Sequence, residues 1–126
     1  RWVSYNSDMS AFAPNAFLTA PVWDWGPRYV EIIEAAKAGT YKPDSYWGSM
    51  ADGVVDIADI AADVDAGVKA AVADKKAAII AGNFHVFSGP INDQDGHLVV
   101  AAGETMDDGS MLGMDFFVEG VIGSTG

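Results

Sequence analysis

The chain contains no cysteine and little positive charge. Seven Lys and Arg stand against 18 Asp and Glu, which gives a formal net charge of −11 at pH 7. Without cysteine, disulfides, thiol nucleophiles and cysteine-based metal sites are excluded. Nucleic acid and anionic membrane surfaces are poor partners for such a chain, because both are bound by clustered Lys and Arg. No apolar run approaches the roughly 20 residues of a membrane-spanning helix.

The sequence also lacks the motifs of common catalytic and metal sites. It has no Gly-x-Ser-x-Gly nucleophile elbow and no Gly-rich phosphate loop. The Asp93–Gly96 stretch has calcium-loop character, but with its glycine at the sixth position Ile91 and Ala102 stand where oxygen ligands are required, so a turn is expected. His85 and His97 have no third zinc ligand at a matching spacing. We therefore predict no metal, no cofactor and no catalytic residue.

The composition supports a folded core. Half of the 126 residues are hydrophobic, with four Trp, four Tyr and six Phe, which is too apolar for a disordered acidic tail. The length allows a single domain. The first residues already have the pattern of a strand, and no initiator Met precedes them. We expect a piece of a longer protein, with a processed mature N-terminus as the alternative.

Strand and helix patterns alternate along the chain. Short strands rich in β-branched and aromatic residues are predicted over 2–5, 17–22, 46–50 and 54–57, and a hairpin is predicted to pair 85–87 with 98–100 around a tight turn at Asp95-Gly96. Helical spacing between capping residues and glycines predicts helices over about 26–39, 65–82 and 107–120. The alternation predicts an α/β fold. These elements are too few for a complete doubly wound domain, which again indicates a fragment.

Aromatic and polar side chains are expected to meet at the ends of the first strands. Trp23 and Trp25 flank Asp24 where a strand gives way to a helix, and Asn6–Asp8 follows the first strand. Ligands of open α/β sheets bind at the carboxyl ends of strands. An indole beside hydrogen-bonding groups suits a planar ligand rich in heteroatoms, stacked on the ring and bound along its edge. The alternative is that the tryptophans only pack the core or the start of the helix.

The order of several segments resembles the basic membrane protein (BMP) family, the solute-binding proteins of ABC importers, and within it the purine nucleoside receptor lipoproteins. The matching series is Tyr5-Asn6-Ser7-Asp8-Met9, Ala13-Pro14, Leu18-Thr19-Ala20, an aromatic turn into a helix, Met50-Ala51-Asp52-Gly53-Val54-Val55, and Phe87-Ser88-Gly89-Pro90-Ile91 with Asp95-Gly96. The resemblance covers nearly the whole chain but only the later part of a family member.

The resemblance implies a periplasmic-binding-protein-like (type I) fold of two α/β lobes, of which residues 1–126 form a C-terminal fragment. It implies second-lobe strands over 1–20, an interlobe crossing over about 19–25, a helix over 26–39, and a return strand, helix, hairpin and C-terminal helix over 46–126. It further implies an export signal and a lipid-anchor cysteine on the missing N-terminal part. The expected location is therefore the periplasm or cell envelope, and the expected partner is an ABC permease.

Two ligand positions of the family can be matched, and both differ in this sequence. Where nucleoside receptors commonly have an Asp that holds ribose hydroxyls or a base edge, this chain has Asn6. Where a Lys is common after the next strand, Trp23 stands nearest. An amide both donates and accepts where a carboxylate only accepts, and an indole adds a stacking face. Both changes remove charge, so we predict a neutral flat ligand, a purine base such as adenine ahead of a nucleoside.

We therefore expect a non-enzymatic solute-binding protein that closes around a purine and delivers it to the permease. The predicted ligand-binding residues are Asn6, Ser7, Asp8, Trp23, Asp24, Trp25, Met50 and Asp52. Trp23 is expected to stack on the ligand and Asn6 to bind its edge, while nearby Asp side chains accept from amino or ring N–H groups. The alternatives are a carbohydrate-binding protein or glycoside hydrolase fragment, since Trp and Asp also bind sugars, and a purely structural or interaction domain.

Overall fold

The computed structural model describes residues 1–125; Gly126, the last residue of the predicted fragment, lies outside the described residues. The elements along the chain are β1 (Trp2–Val3), β2 (Phe17–Thr19), β3 (Pro21–Trp23), α1 (Gly26–Lys37), β4 (Val55–Ile57), α2 (Ala66–Ile80), β5 (Ile91–Asn92), β6 (Leu98–Val100) and α3 (Asp108–Leu112). The predicted α/β class is confirmed. The chain divides into two compact units, Arg1–Asn83 and Phe84–Gly126. Among residues 1–125, no helix combines the length and the apolar character needed to cross a membrane.

The first unit is built around β2 and β3, which are separated by Ala20 alone. β1 runs parallel to β2, with Val3 opposite Thr19. β4 runs antiparallel to β3, with Trp23 opposite Val55. The central chain segment therefore has a parallel neighbour at its beginning and an antiparallel neighbour at its end. The predicted site residues lie at the ends of these strands or in the turns beside them.

The core of the first unit lies along this central segment. Phe17, Ala20 and Val54 are buried, with exposed fractions of 3%, 0% and 3%. Ser4 is equally buried, and its hydroxyl donates to the Ser7 carbonyl at 2.5 Å, which satisfies the polar group in an apolar setting. Burial at these positions fixes the ends of β1 and β3 and the start of β4.

Both long helices form where their end signals predict them. Pro27 lies in the first turn of α1, where its missing N–H costs no hydrogen bond. Asp65 is the N-cap of α2, and its carboxylate accepts from two backbone N–H groups of the first turn. Gly39 and Gly82 follow the two last turns with φ of +70°, a backbone conformation that other residues rarely adopt. The predicted helices over 26–39 and 65–82 are confirmed.

The strand predicted over 46–50 is wrong. This segment is irregular and ends in a turn over 50–53, in which the Gly53 N–H donates to the Met50 carbonyl at 3.2 Å and Gly53 has φ of +76°. Tyr46 and Trp47 have strand-forming side chains, but the Tyr46 ring packs against side chains near the start of α1 instead. Regular pairing begins only at β4.

In the second unit the predicted hairpin forms with a different first arm. β6 pairs antiparallel with β5, not with 85–87, which lies outside the strands. The turn is closed by Gly96, whose N–H donates to the Asp93 carbonyl at 3.1 Å and whose φ is +81°. The predicted tight turn at Asp95-Gly96 is therefore confirmed. A turn this short pairs the residues next to it, which excludes the more distant arm.

The predicted helix over 107–120 is wrong beyond Leu112. α3 starts after Asp107, whose carboxylate accepts from the N–H of Ser110, and it is capped at Gly113. The following segment pairs with the hairpin. The N–H of Gln94 donates to the Phe117 carbonyl at 3.1 Å, and Asp93 forms an antiparallel bridge with Val118. A helix through these residues would lose those backbone hydrogen bonds.

Candidate functional site

The first group of predicted site residues lies where β3 ends and α1 begins. We call Trp23, Asp24 and Trp25 the aromatic turn. Both indoles are 40% exposed, so a ligand can reach their faces. The Asp24 carboxylate accepts from the N–H of Gly26 at 2.9 Å, and the Asp24 N–H donates to the Val54 carbonyl at 2.9 Å. The backbone of the aromatic turn is thus fixed at both ends while its rings remain accessible.

A stack of side chains continues from the aromatic turn. The Trp25 and Tyr46 rings meet edge to face, with centroids 6.3 Å apart and planes at 65°. The guanidinium of Arg28 lies 4.3 Å from the centroid of the Tyr46 ring, in cation–π range. Arg28 also donates to Glu31 at 2.8 Å and to Asp44 at 2.6 Å. The hydrogen bonds with Glu31 and then Asp44 hold the cation over the ring, and they raise the pKa of Arg28.

Asp52 and Met50 lie in the turn that precedes β4. The Asp52 carboxylate accepts from the Ser49 N–H at 2.9 Å and from its hydroxyl at 2.6 Å. The Ser49 hydroxyl and then its N–H lower the pKa of Asp52, so this carboxylate is ionised at neutral pH. Met50 is half-buried beside it. Because Val54 binds the backbone of Asp24, the structure brings this turn next to the aromatic turn.

The second group, Asn6–Asp8, forms a separate turn at the end of β1, which we call the polar turn. Asn6 has φ of +58°, in the left-handed region that Asn tolerates better than most residues. The Ser7 carbonyl accepts from the buried Ser4 hydroxyl. Asp8 accepts from the Ser10 N–H at 2.8 Å, and the hydroxyl and then the N–H of Ser10 lower the pKa of Asp8. All three side chains of the polar turn are exposed.

Asp8 also lines an open cavity of about 690 Å³, within the size range of small-molecule sites. Its polar walls come from Asp8, Ser10, Asn15, Asp59 and Asp63, and its apolar floor includes Phe17. At one side, Arg1 donates to Asp63 at 2.5 Å. Hydroxyl, amide and carboxylate groups around an apolar floor are chemically suited to a sugar or a nucleobase. None of the hydrogen bonds described above for the polar turn involves the aromatic turn. Separate sets of hydrogen bonds therefore hold the two turns.

The sequence analysis missed Arg28 and Tyr46. The spacing of Arg28 and Glu31, three residues apart on a predicted helix, indicates an ion pair. Nothing local indicates that the Tyr46 ring lies between Arg28 and Trp25, because this contact joins segments far apart in the chain. Trp25 was predicted to be a ligand-binding residue because it lies two positions from Trp23 in the sequence. The structure adds its contact with the Tyr46 ring.

A further cluster closes the β5–β6 hairpin in the second unit. Ligand atoms of Asp93, Asp95 and His97 lie within 4.8 Å of one another. The Asp93 carboxylate accepts from the N–H groups of Asp95 and His97, both at 2.9 Å, and lies 3.0 Å from His97 Nδ1. The His97 N–H contributes most to lowering the pKa of Asp93. These hydrogen bonds account for the turn, and the sequence analysis had paired His97 with His85 and not with Asp93.

Comparison with known proteins finds two curated relatives. No family model matches the chain. It is 42% identical over 115 residues to a purine-binding protein of Brucella abortus, a match that covers 91% of this chain and 33% of that protein. The chain is therefore similar in sequence to a solute-binding protein. It is also 31% identical over 123 residues to an ABC transporter glucose-binding protein of Haloferax volcanii, covering 97% of this chain and 29% of that protein.

These relatives confirm the predicted resemblance to BMP-like substrate-binding proteins. Both are named as binding proteins and not as enzymes, which agrees with the expectation of a non-enzymatic chain. The chain spans about a third of the length of these curated relatives. The type I two-lobe fold, the interlobe crossing and the lipid anchor stay predictions.

Proposed function

We propose that this chain is part of the solute-binding component of an ABC importer and that its ligand is a purine base or nucleoside, with adenine-like bases preferred. The aromatic turn carries the proposal. Two indoles, each 40% exposed, flank a carboxylate at the carboxyl end of a strand, in a chain 42% identical to a purine-binding protein. A flat heterocycle is the ligand class that uses both the ring faces and the polar edge groups.

Four of the eight predicted residues have a specific chemical role in this proposal. Trp23 stacks on the base, an interaction that contributes about 1–3 kcal/mol per base in single-stranded nucleic-acid complexes. The Asn6 amide offers one donor and one acceptor to the base edge, the pairing that adenine N6 and N7 accept. Asp8 and Asp52 are carboxylates whose pKa is lowered further by hydrogen bonds from serine, so they accept from amino or ring N–H groups.

Transport follows from closure around the ligand. In a two-lobe protein of the cell envelope, contacts from both lobes favour the closed state, and the permease recognises that state. The chain's aromatic and polar turns provide one side of the ligand site, and the remaining part of the protein provides the other. An export signal and a lipid anchor on that remaining part would hold the protein at the membrane.

A carbohydrate ligand is the second candidate. It is favoured by the glucose-binding relative, which is 31% identical over 97% of this chain, and by the cavity beside Asp8. The carboxylates of Asp8 and Asp59 and the amide of Asn15 line this cavity, and such groups bind sugar hydroxyls, while exposed indoles stack on sugar rings. A glycoside hydrolase fragment uses the same residue types but requires two carboxyl groups facing each other across the bond that is cleaved.

Isothermal titration calorimetry on the full-length protein with adenine, guanosine and glucose separates these candidates. We expect adenine or guanosine to bind and glucose not to bind. Thermal unfolding should shift accordingly, since a ligand at a hundred times its Kd stabilises a protein by about 2.7 kcal/mol. Glucose binding without purine binding would establish the second candidate, and hydrolysis of any glycoside would contradict the non-enzymatic role.

Two substitutions test the site itself. Trp23→Ala should weaken purine binding at least about tenfold, in line with the loss of one stacking face. Trp47→Ala is the matched control, because Trp47 is 55% exposed and lies outside the predicted site, and it should leave the affinity unchanged. Equal effects of the two changes would show that the aromatic turn does not contact the ligand.

A further inference from the structure

Arg28 lies three residues after Trp25, in the first turn of α1. Its side chain is only 11% exposed, although the helix is at the surface. The guanidinium lies 4.3 Å from the centroid of the Tyr46 ring, and that ring meets the Trp25 indole edge to face. A continuous set of contacts therefore leads from Arg28 through Tyr46 to Trp25.

Two carboxylates hold the guanidinium in this position. Glu31, on the same helix, accepts at 2.8 Å, and Asp44, in the loop that follows the helix, accepts at 2.6 Å. A guanidinium is planar and carries five N–H donors, so it can bind two carboxylates in its plane while its face lies on a ring. A lysine ammonium is a compact charge without such a face. The arrangement therefore requires arginine and not merely a cation.

Gly48 confines the Tyr46 ring at the other end of the same loop. A Cβ atom at Gly48 would lie 2.7 Å from Cε1 of Tyr46 and 2.8 Å from Cγ2 of Val54. These distances are shorter than van der Waals contact, so the ring fits closely against the Gly48 backbone. Tyr46 thus has little room to move, and its orientation is passed on to the indole that it contacts.

We infer that Arg28 is a positioning residue of the ligand site, which through Tyr46 fixes the orientation of the Trp25 indole. The inference rests on the proposed function only for the statement that a ligand contacts the Trp25 indole. That Arg28 orients this indole does not depend on any ligand. An indole held in one orientation binds a flat ligand more tightly, because less side-chain entropy is lost on binding.

The test uses full-length protein in which Trp25 is the remaining tryptophan, with Trp2, Trp23, Trp47 and every tryptophan outside this chain changed to Phe. Arg28→Lys in this background should raise the acrylamide quenching of Trp25 emission, since the indole becomes mobile and more accessible. The matched control is Arg1→Lys, the same change at the chain's other arginine, which pairs with Asp63 and should leave the quenching unchanged. Circular dichroism confirms that both variants remain folded.

Ligand affinity is measured separately, with Trp23 and the other tryptophans restored. Arg28→Lys should weaken adenine binding about fivefold, the loss expected when one side chain must be ordered on binding, while Arg1→Lys should not change it. Tyr46→Phe keeps the ring and should keep both the quenching and the affinity, whereas Tyr46→Ala should behave like Arg28→Lys.

The outcomes separate the positioning role from the proposed function. Unchanged Trp25 quenching in Arg28→Lys overturns the inference, whatever the protein binds. Increased quenching in Arg28→Lys, in a protein that binds no purine, supports the orientation by Arg28 and contradicts the purine function. Increased quenching together with unchanged purine affinity overturns the role of Arg28 in the ligand site.

Discussion

The two turns that carry the predicted ligand residues are stabilised in different ways. In the aromatic turn, the Trp25 ring meets Tyr46, a residue from a distant loop. In the polar turn, the bond from the Ser4 hydroxyl to the Ser7 carbonyl joins residues three positions apart. The aromatic turn therefore depends on the fold of the whole first unit, while the polar turn is organised by its own short segment.

Under the proposal that both turns bind one ligand, this difference gives each turn its own role. The contact with Tyr46, from a distant segment, restricts the motion of the Trp25 indole, so this indole is preorganised for stacking. A turn held by local hydrogen bonds at the surface opens at lower free energy, so the polar turn can adjust its amide and carboxylate to the edge of the ligand. The rigid aromatic turn would then select flat ligands by stacking, and the adaptable polar turn would select among them by their hydrogen-bonding groups.

The largest effect is expected from Gly48→Ala, which tests the tight packing behind the aromatic turn. The new Cβ would lie 2.7 Å from the Tyr46 ring, and overpacking of this kind costs about 1–3 kcal/mol. Urea denaturation measures the change. Gly53→Ala is the matched control, because it makes the same change in open space at φ of +76° and should cost about 1 kcal/mol through backbone strain alone.

A smaller effect is expected from Ser4→Ala, which removes the hydrogen bond that holds the polar turn. Ser4 is 3% exposed, and loss of one hydrogen bond with a buried partner costs about 1 kcal/mol. Ser88→Ala is the control, since the Ser88 hydroxyl also donates to a carbonyl three positions away in the sequence, that of His85, but at the surface. Amide hydrogen exchange should show that Ser4→Ala loosens residues 5–8 and leaves the aromatic turn protected. Equal loosening of both turns would contradict their independence.

The sequence is informative where structure is decided locally. The ends of α1 and α2 were predicted correctly because Pro27, Asp65 and the glycines after these two helices act on neighbouring backbone groups. The position of the aromatic turn follows from the same signals, since a proline after Trp25 indicates the first turn of a helix. Residues of the polar turn were likewise predicted from a cluster typical of turns.

The sequence is less informative where the structure depends on pairing or packing between segments that are far apart in the chain. Residues 46–50 and 85–87 have strand-forming side chains, but they form no strand because Tyr46 packs on Arg28 and because β6 pairs with β5. The segment after Gly113 has helical spacing, yet its backbone binds the hairpin. The Arg28–Tyr46–Trp25 contacts were missed for the same reason. That the predicted residues of the two turns bind one and the same ligand is still a prediction.

Acid should affect the polar turn and the turn over 50–53 in the same sense, because each contains a carboxylate that accepts from a serine. Hydrogen bonds lower the pKa of Asp8 and of Asp52 in the folded chain. Each therefore stabilises the fold above the unfolded pKa of about 4, and this contribution is lost as the pH falls through the folded pKa. Urea midpoints measured from pH 7 to pH 3 should fall less steeply in Asp8→Asn and in Asp52→Asn than in the unchanged protein. An unaltered slope in either variant would show that its serine hydrogen bonds do not contribute.

The smallest effect on stability is expected from Asn6→Gly, which tests the polar turn without straining it. Glycine adopts the φ of +58° found at Asn6 at least as readily as asparagine, so the free energy of unfolding should change by less than about 0.5 kcal/mol. Asn6→Val should cost about 1–2 kcal/mol, since a β-branched residue is strained in this region. If the amide binds the ligand edge, Asn6→Gly alone weakens purine binding while stability is kept, because only the side chain has been removed. Unchanged affinity in Asn6→Gly would leave the polar turn a structural element and assign ligand recognition in this chain to the aromatic turn.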